Sequence, residues 1–142
     1  MRACSPDHSL CVRRAGAIDR IPRRKKRVDI AAGSRRAEAY ADGAAGEPVV
    51  DKLGYGSFHG TDLDVRLRAL GVRSLVIAGT VTQICVEETA REAYHHGYAT
   101  TVVSDAVSSF APDLHAATLR NFAMKFGWVT GADDVIAALH TG

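Results

Sequence analysis

Gly79-Thr80-Val81-Thr82-Gln83-Ile84-Cys85-Val86 stands between two segments of opposite pattern. Before it, Leu75-Val76-Ile77-Ala78 is a short apolar run of the kind that forms a buried strand. After it, the spacing predicts a helix over residues 83–96 that stops at Gly97. The eight residues therefore form a strand-to-helix turn, with Cys85 in the first turn of the helix. A thiol there meets unpaired backbone N–H groups and the positive end of the helix dipole. Both favour the thiolate, the form in which cysteine is a nucleophile. A buried structural cysteine fits the same position equally well.

Outward from this turn the chain alternates between two periods. Upstream, Pro48 to Lys52 reads as a short strand, followed by a loop from Leu53 to Gly60 with three glycines, Tyr55, Phe58 and His59. Thr61 is placed to cap a helix whose Leu63, Leu67 and Leu70 recur at helical spacing up to Gly71. Val72 to Ala78 is the next strand. Downstream, Tyr98 to Ser104 reads as a β-branched strand ending at Asp105, and Pro112 opens a helix with Leu114, Thr118, Leu119 and Phe122 on one side. Gly127-Trp128-Val129 is a short strand and Asp133 to His140 a last helix. Such alternation predicts an α/β fold, a doubly wound parallel sheet with helices on both faces. Ligands bind such sheets at the carboxyl ends of the strands, where Lys52, Cys85 and Asp105 would lie.

The 142 residues suffice for one domain but are few for a complete doubly wound sheet. The net charge of +2 conceals an asymmetry: residues 1–45 carry 11 Lys and Arg against 5 Asp and Glu, and residues 46–142 carry 7 against 11. Dense like charge with little apolar content predicts a basic, poorly ordered arm over 1–45, ahead of the domain at 46–142. No aromatic residue interleaves the basic clusters to stack on bases, so nucleic acid is not the expected partner. Cys4, Cys11 and Cys85 supply neither a disulfide framework nor a spaced metal site. No apolar run reaches the length of a membrane span, and no apolar segment follows the N-terminal charges as in a secretory signal. No membrane partner and a cytoplasmic, reducing compartment are the expectations.

Several motifs in this order carry a resemblance. Lys52-x-x-Tyr55-x-x-Phe58-x-Gly60-Thr61, Gly79-x-x-Thr82-x-x-Cys85-Val86 with Thr89, Ala90 and Ala93, Gly97-Tyr98 and Ser104-Asp105-Ala106 resemble the isochorismatase-like cysteine hydrolases over roughly residues 46–140. Asn121-Phe122 with Phe126-Gly127-Trp128-Val129 is similar to members acting on ureido compounds, such as ureidoacrylate and biuret amidohydrolases. The resemblance implies that Cys85 attacks an amide or ureido carbonyl and that water releases the thioester; no cofactor and no metal are expected for this chain. It implies an oxyanion hole from the backbone N–H groups of Val81 and Cys85, set by a cis peptide at Thr80–Val81, in line with the two aimed donors such an intermediate needs. Lys52 matches the family's lysine, whose charge favours the thiolate. Tyr55 and Phe58 would wall the pocket, although loop aromatics also serve as core plugs. A small-molecule substrate and a homo-oligomer are the implied partners.

The family's third catalytic group is an aspartate at the end of its central first strand, in an Asp-x-Gln pattern, and no such segment occurs here. Asp29, in the strand-like Arg27-Val28-Asp29-Ile30-Ala31, precedes Lys52 by 23 positions, too few for the intervening helix and strand. Family sheets run in the order 3-2-1-4-5-6, so the strand starting near Leu75 would have an open edge where the first strand belongs. The expectation is a truncated or frame-shifted copy missing its first strands, unless residues 27–31 or a partner chain fill the place. Two function classes follow: an amidohydrolase impaired by the missing aspartate, or a non-catalytic remnant serving as a subunit-interface module. His59, His95, His96 and His115 share no metal-ligand spacing. Asp105 is read as capping the turn that follows it, with positioning of a neighbour as the alternative, and Phe126 and Trp128 as core or subunit contacts.

Overall fold

In the computed structural model of the chain, the described residues are 2–5, 8–14 and 49–140. They form β1 (Arg2–Ser5), β2 (His8–Arg14), β3 (Val49–Lys52), α1 (Leu63–Ala69), β4 (Ser74–Thr80), a π-helical turn (Thr82–Val86), α2 (Glu87–His95), β5 (Ala99–Ser108), α3 (Pro112–Lys125), β6 (Trp128–Thr130) and α4 (Ala132–His140). The architecture is a doubly wound α/β sheet with helices on both faces. Its strand order is β3-β2-β1-β4-β5-β6. β2 and β3 are parallel, as are β4, β5 and β6, whereas β1 runs antiparallel to both of its neighbours.

β4 does not present the open edge that the sequence led us to expect. Arg2 lies opposite Ala78 and Cys4 opposite Val76, so β1 takes the ladder, and β2 continues it to β3. The physical reason is that strand-edge N–H and C=O groups need partners whatever the side-chain pattern of the segment that supplies them. Residues 27–31, considered for that place, and the basic clusters at 23–27 and 35–36 lie outside the described residues.

The core follows the periodicity. Leu75 and Ile77 of β4, Val102 of β5, Leu63 and Leu67 of α1, Ala90 and Ala93 of α2 and Phe122 of α3 form one buried cluster. Leu119 and Phe126 pack against it from α3 and its end, while Leu114 and Trp128 are exposed. The N-cap of α1 is Asp62, whose side chain makes no cap bond, rather than the expected Thr61. From one position earlier the Thr61 hydroxyl accepts the Leu63 N–H at 3.2 Å and donates to the Ser57 carbonyl at 2.6 Å. Gly71 and Gly97, at φ +69° and +87°, end α1 and α2 in the left-handed conformation that a side chain would resist. β5 runs past the expected end at Ser104 to Ser108, pairing Gly79 with Val107 and Thr80 with Ser108 after a register shift beyond Ile77. Among the described residues no helix is long and apolar enough to cross a membrane.

Candidate active site

β4 delivers the chain to the cysteine. The peptide bond Thr80–Val81 is cis, and Val81 is extended at φ −96° and ψ 136°. Residues 82–86 then close a π-helical turn rather than the first α-helical turn the sequence indicates. The Val81 carbonyl accepts both the Ile84 N–H at 3.1 Å and the Val86 N–H at 3.3 Å. Two side chains fasten this turn. Val86 is 1% exposed in the core, and the fully buried Thr82 shares a 2.9 Å hydrogen bond with Nδ1 of His115 on α3. Cys85 between them is half-buried, a free thiol. α2 follows with Glu87 and Glu88 in its first turn, and the Glu87 carboxylate accepts from Arg91 at 2.7 Å and from the Thr118 hydroxyl of α3 at 2.9 Å.

Lys52 ends β3, three places along the sheet from β4. At a strand spacing of about 4.8 Å that is about 14 Å, so neighbouring strands cannot bring the two residues together. The loop after Lys52 reaches α2 instead. Lys52 is 4% exposed and its ammonium donates to the Tyr55 carbonyl. Ser57, fully buried, shares a 2.9 Å hydrogen bond with Thr89 of α2, and the Phe58 N–H donates to Glu92 of α2 at 3.3 Å. The Phe58 ring is 4.8 Å from the His96 ring, stacked on it, and belongs to the core cluster. Of the two expected pocket walls, Phe58 is thus packed inside and Tyr55 stands 42% exposed.

Beneath the loop, the Tyr98 hydroxyl donates to the Asp64 carboxylate at 2.8 Å and Arg68 Nε donates to it at 3.0 Å. The hydrogen bond from Arg68, then that from Tyr98, holds the Asp64 carboxyl below its ordinary range. Burial, then the bond to Asp64, pushes the Tyr98 phenol up to about 12. Asp105 does not cap the turn after it; its carboxylate accepts the Ala132 N–H at 2.9 Å and holds the start of α4. His115 escaped the sequence reading because nothing in its spacing pointed to the Cys85 turn; only the packing of α3 brings it there. Among the described residues no group of three or more His, Cys, Asp or Glu could hold a metal ion. A groove of about 530 Å³ lined by Tyr94, Phe126 and Trp128, among others, opens at the amino ends of β5 and β6, away from Cys85 and Lys52.

The profile of the isochorismatase domain matches residues 13–134. The ureidoacrylate amidohydrolase RutB of Methylorubrum extorquens is 42% identical over 95 residues, which are 66% of this chain and 38% of RutB. The chain thus spans well under half the length of the curated relative it matches. Among solved structures, a hydrolase of the isochorismatase family from Chromobacterium violaceum superposes with a TM-score of 0.78 at 27% identity, over 92% of this chain and 71% of that one. The nicotinamidase PncA of Bacillus subtilis does so with a TM-score of 0.73 at 28% identity, over 86% and 73%.

Proposed function

The chain belongs to the isochorismatase family, and on that premise we propose that it is a cysteine hydrolase cleaving the C–N bond of a small amide or ureido compound. The observation that carries the reading is the half-buried Cys85 in its own π-helical turn at the head of α2, with the loop of the buried Lys52 packed onto the same helix. The Cys85 thiolate adds to the carbonyl carbon, with the backbone N–H groups of Val81 and Cys85 as donors to the oxyanion. The C–N bond then breaks, the nitrogen leaves with a proton as ammonia or amine, and a thioester remains. Water adds to the thioester, the acid product departs and the sulfur regains its charge or proton. Lys52 favours the thiolate by its charge. The likeness to RutB supports a ureido substrate of the ureidoacrylate type; a homo-oligomer and a cytoplasmic setting belong to the proposal through the family resemblance alone.

A second reading has its own support. β1 and β2, which fill the centre of the sheet, read Arg-Ala-Cys-Ser and His-Ser-Leu-Cys-Val-Arg-Arg and carry no carboxylate. Loss of a general base slows a reaction by about 10²–10⁴, and central strands that supply none, among the described residues, fit a non-catalytic interface module equally well. Ammonia release from biuret, a ureidoacrylate, carbamoyl amides and nicotinamide, compared between the full chain and Cys85→Ser, decides between them. Release that disappears with Cys85→Ser supports hydrolysis. No release from the unmutated chain, with Cys4, Cys11 and Cys85 taking iodoacetamide equally slowly, supports the module.

A further inference from the structure

The loop that carries Lys52 touches α2 along one face and over two turns. Gly56 lies against Glu88 and Glu92: a Cβ at Gly56 would fall 2.2 Å from Oε2 and 2.8 Å from Cδ of Glu92, and 3.1 Å from Cγ of Glu88. Ser57 bonds Thr89, the Phe58 N–H bonds Glu92, and the Phe58 ring stacks on His96. Residues 88, 89, 92 and 96 recur at the three- and four-residue steps that define one helix face. The same helix begins at Glu87, directly after the turn that holds Cys85. No adjacent strands relate the lysine to the cysteine, so α2 is the ruler that sets one against the other.

We infer that Glu92 is a positioning residue for the Cys85–Lys52 pair. Its carboxylate occupies the space that Gly56 leaves and, by accepting the Phe58 N–H, fixes where the lysine loop crosses the carboxyl end of the sheet. The inference rests on the proposed hydrolase reading, in which the charge of Lys52 favours the Cys85 thiolate. Glu92 touches neither substrate nor sulfur in this role; it acts through the backbone of the loop.

The test is the pH dependence of Cys85 alkylation by iodoacetamide in the full chain, read by mass spectrometry, because a purely structural residue would alter stability without moving that profile. Glu92→Ala is expected to slow alkylation at about pH 6.5 by roughly fivefold and to move the profile toward higher pH. Glu92→Gln, which keeps an acceptor oxygen, is expected to restore most of the profile. Gly56→Ala displaces the carboxylate while leaving Glu92 in place, and is expected to shift the midpoint in the same direction. Combining Gly56→Ala with Glu92→Ala should add nothing to Glu92→Ala alone. Lys52→Met separates the two levels. If it shifts the profile while folded Glu92→Ala and Gly56→Ala leave it unmoved, the positioning role of Glu92 is overturned and the hydrolase reading stands. If Lys52→Met leaves the profile unmoved, the lysine reading falls and this inference with it.

Discussion

The Thr82 hydroxyl stands 2.9 Å from Nδ1 of His115, joining two residues 33 positions apart and pinning the turn that carries Cys85 to the first half of α3. Thr82 is fully buried, so the bond has no water to replace it. His115→Ala leaves that hydroxyl unpaired and is expected to cost about 1–3 kcal/mol in chemical denaturation. Thr82→Val in the His115→Ala background should cost little more, since the buried hydroxyl is then gone. A coupling of about 0.5 kcal/mol or more in the double-mutant cycle is the signature, and additive losses would show that the contact carries no energy.

Gly127 is expected to resist even a methyl group. A Cβ there would fall 2.1 Å from the Thr100 carbonyl oxygen and 2.9 Å from the Phe122 ring. The carbonyl belongs to β5 and cannot swing aside, and Phe122 is 1% exposed in the core. Gly127→Ala should therefore lower stability by about 1–3 kcal/mol, the usual range for overpacking. Trimming the ring with Phe122→Leu should not rescue it, because the backbone obstruction remains; full recovery would contradict the geometry.

Stability should fall at both ends of the pH scale through the Arg68–Asp64–Tyr98 cluster. Burial and then the bond to Asp64 raise the phenol, and Arg68 and then Tyr98 lower the carboxyl. The Tyr98 phenol titrates at about 12 when folded, against an ordinary value of 10.0. Its contribution is complete below pH 10 and is lost as pH rises from there toward about 12, because the unfolded chain ionises first. Asp64 is displaced downward from 3.8, so its contribution is present above that pH and is lost as pH falls through the lower folded value. Tyr98→Phe should flatten the alkaline limb of a plot of Tm against pH; an unchanged alkaline limb would refute the assignment.

Asp105 and Ala132 make the fourth case. The carboxylate accepts a backbone N–H at the start of α4 from 27 residues away. Asp105→Ala is expected to cost about 1 kcal/mol, the usual value of a helix cap. Hydrogen exchange should rise in the first turn of α4 and nowhere along β4; uniform protection would argue that the bond is idle.

Legibility in the sequence followed the range of the interaction. Leu63 and Leu67 at helical spacing, Leu75 and Ile77 at strand spacing, and Gly71 and Gly97 as stops all report contacts within one turn or one pleat. The start of α1 was readable for the same reason to within one residue, Asp62 standing at the N-cap and Thr61 just before it. The end of β5 was not: Val107 and Ser108 are strand because Gly79 and Thr80 lie beside them, and no local pattern announces a partner. Nor was the pairing of β1 with β4, since ladder bonds are made by backbone, which every residue has. His115 and Glu92 belong with these, as polar residues on helices whose use depends on what the other side of the contact brings.

The sequence by itself determined the alternating α/β framework, the family, and the strand-to-helix position of Cys85, because apolar period and turn residues are local properties of the chain. Only the tertiary structure decided that the turn is π-helical and tied to α3, that the loop after Lys52 lies along α2, and that residues 2–5 close the edge of β4. Each of those is a meeting of segments distant along the chain. Distance along a chain fixes no distance in space until the core has packed.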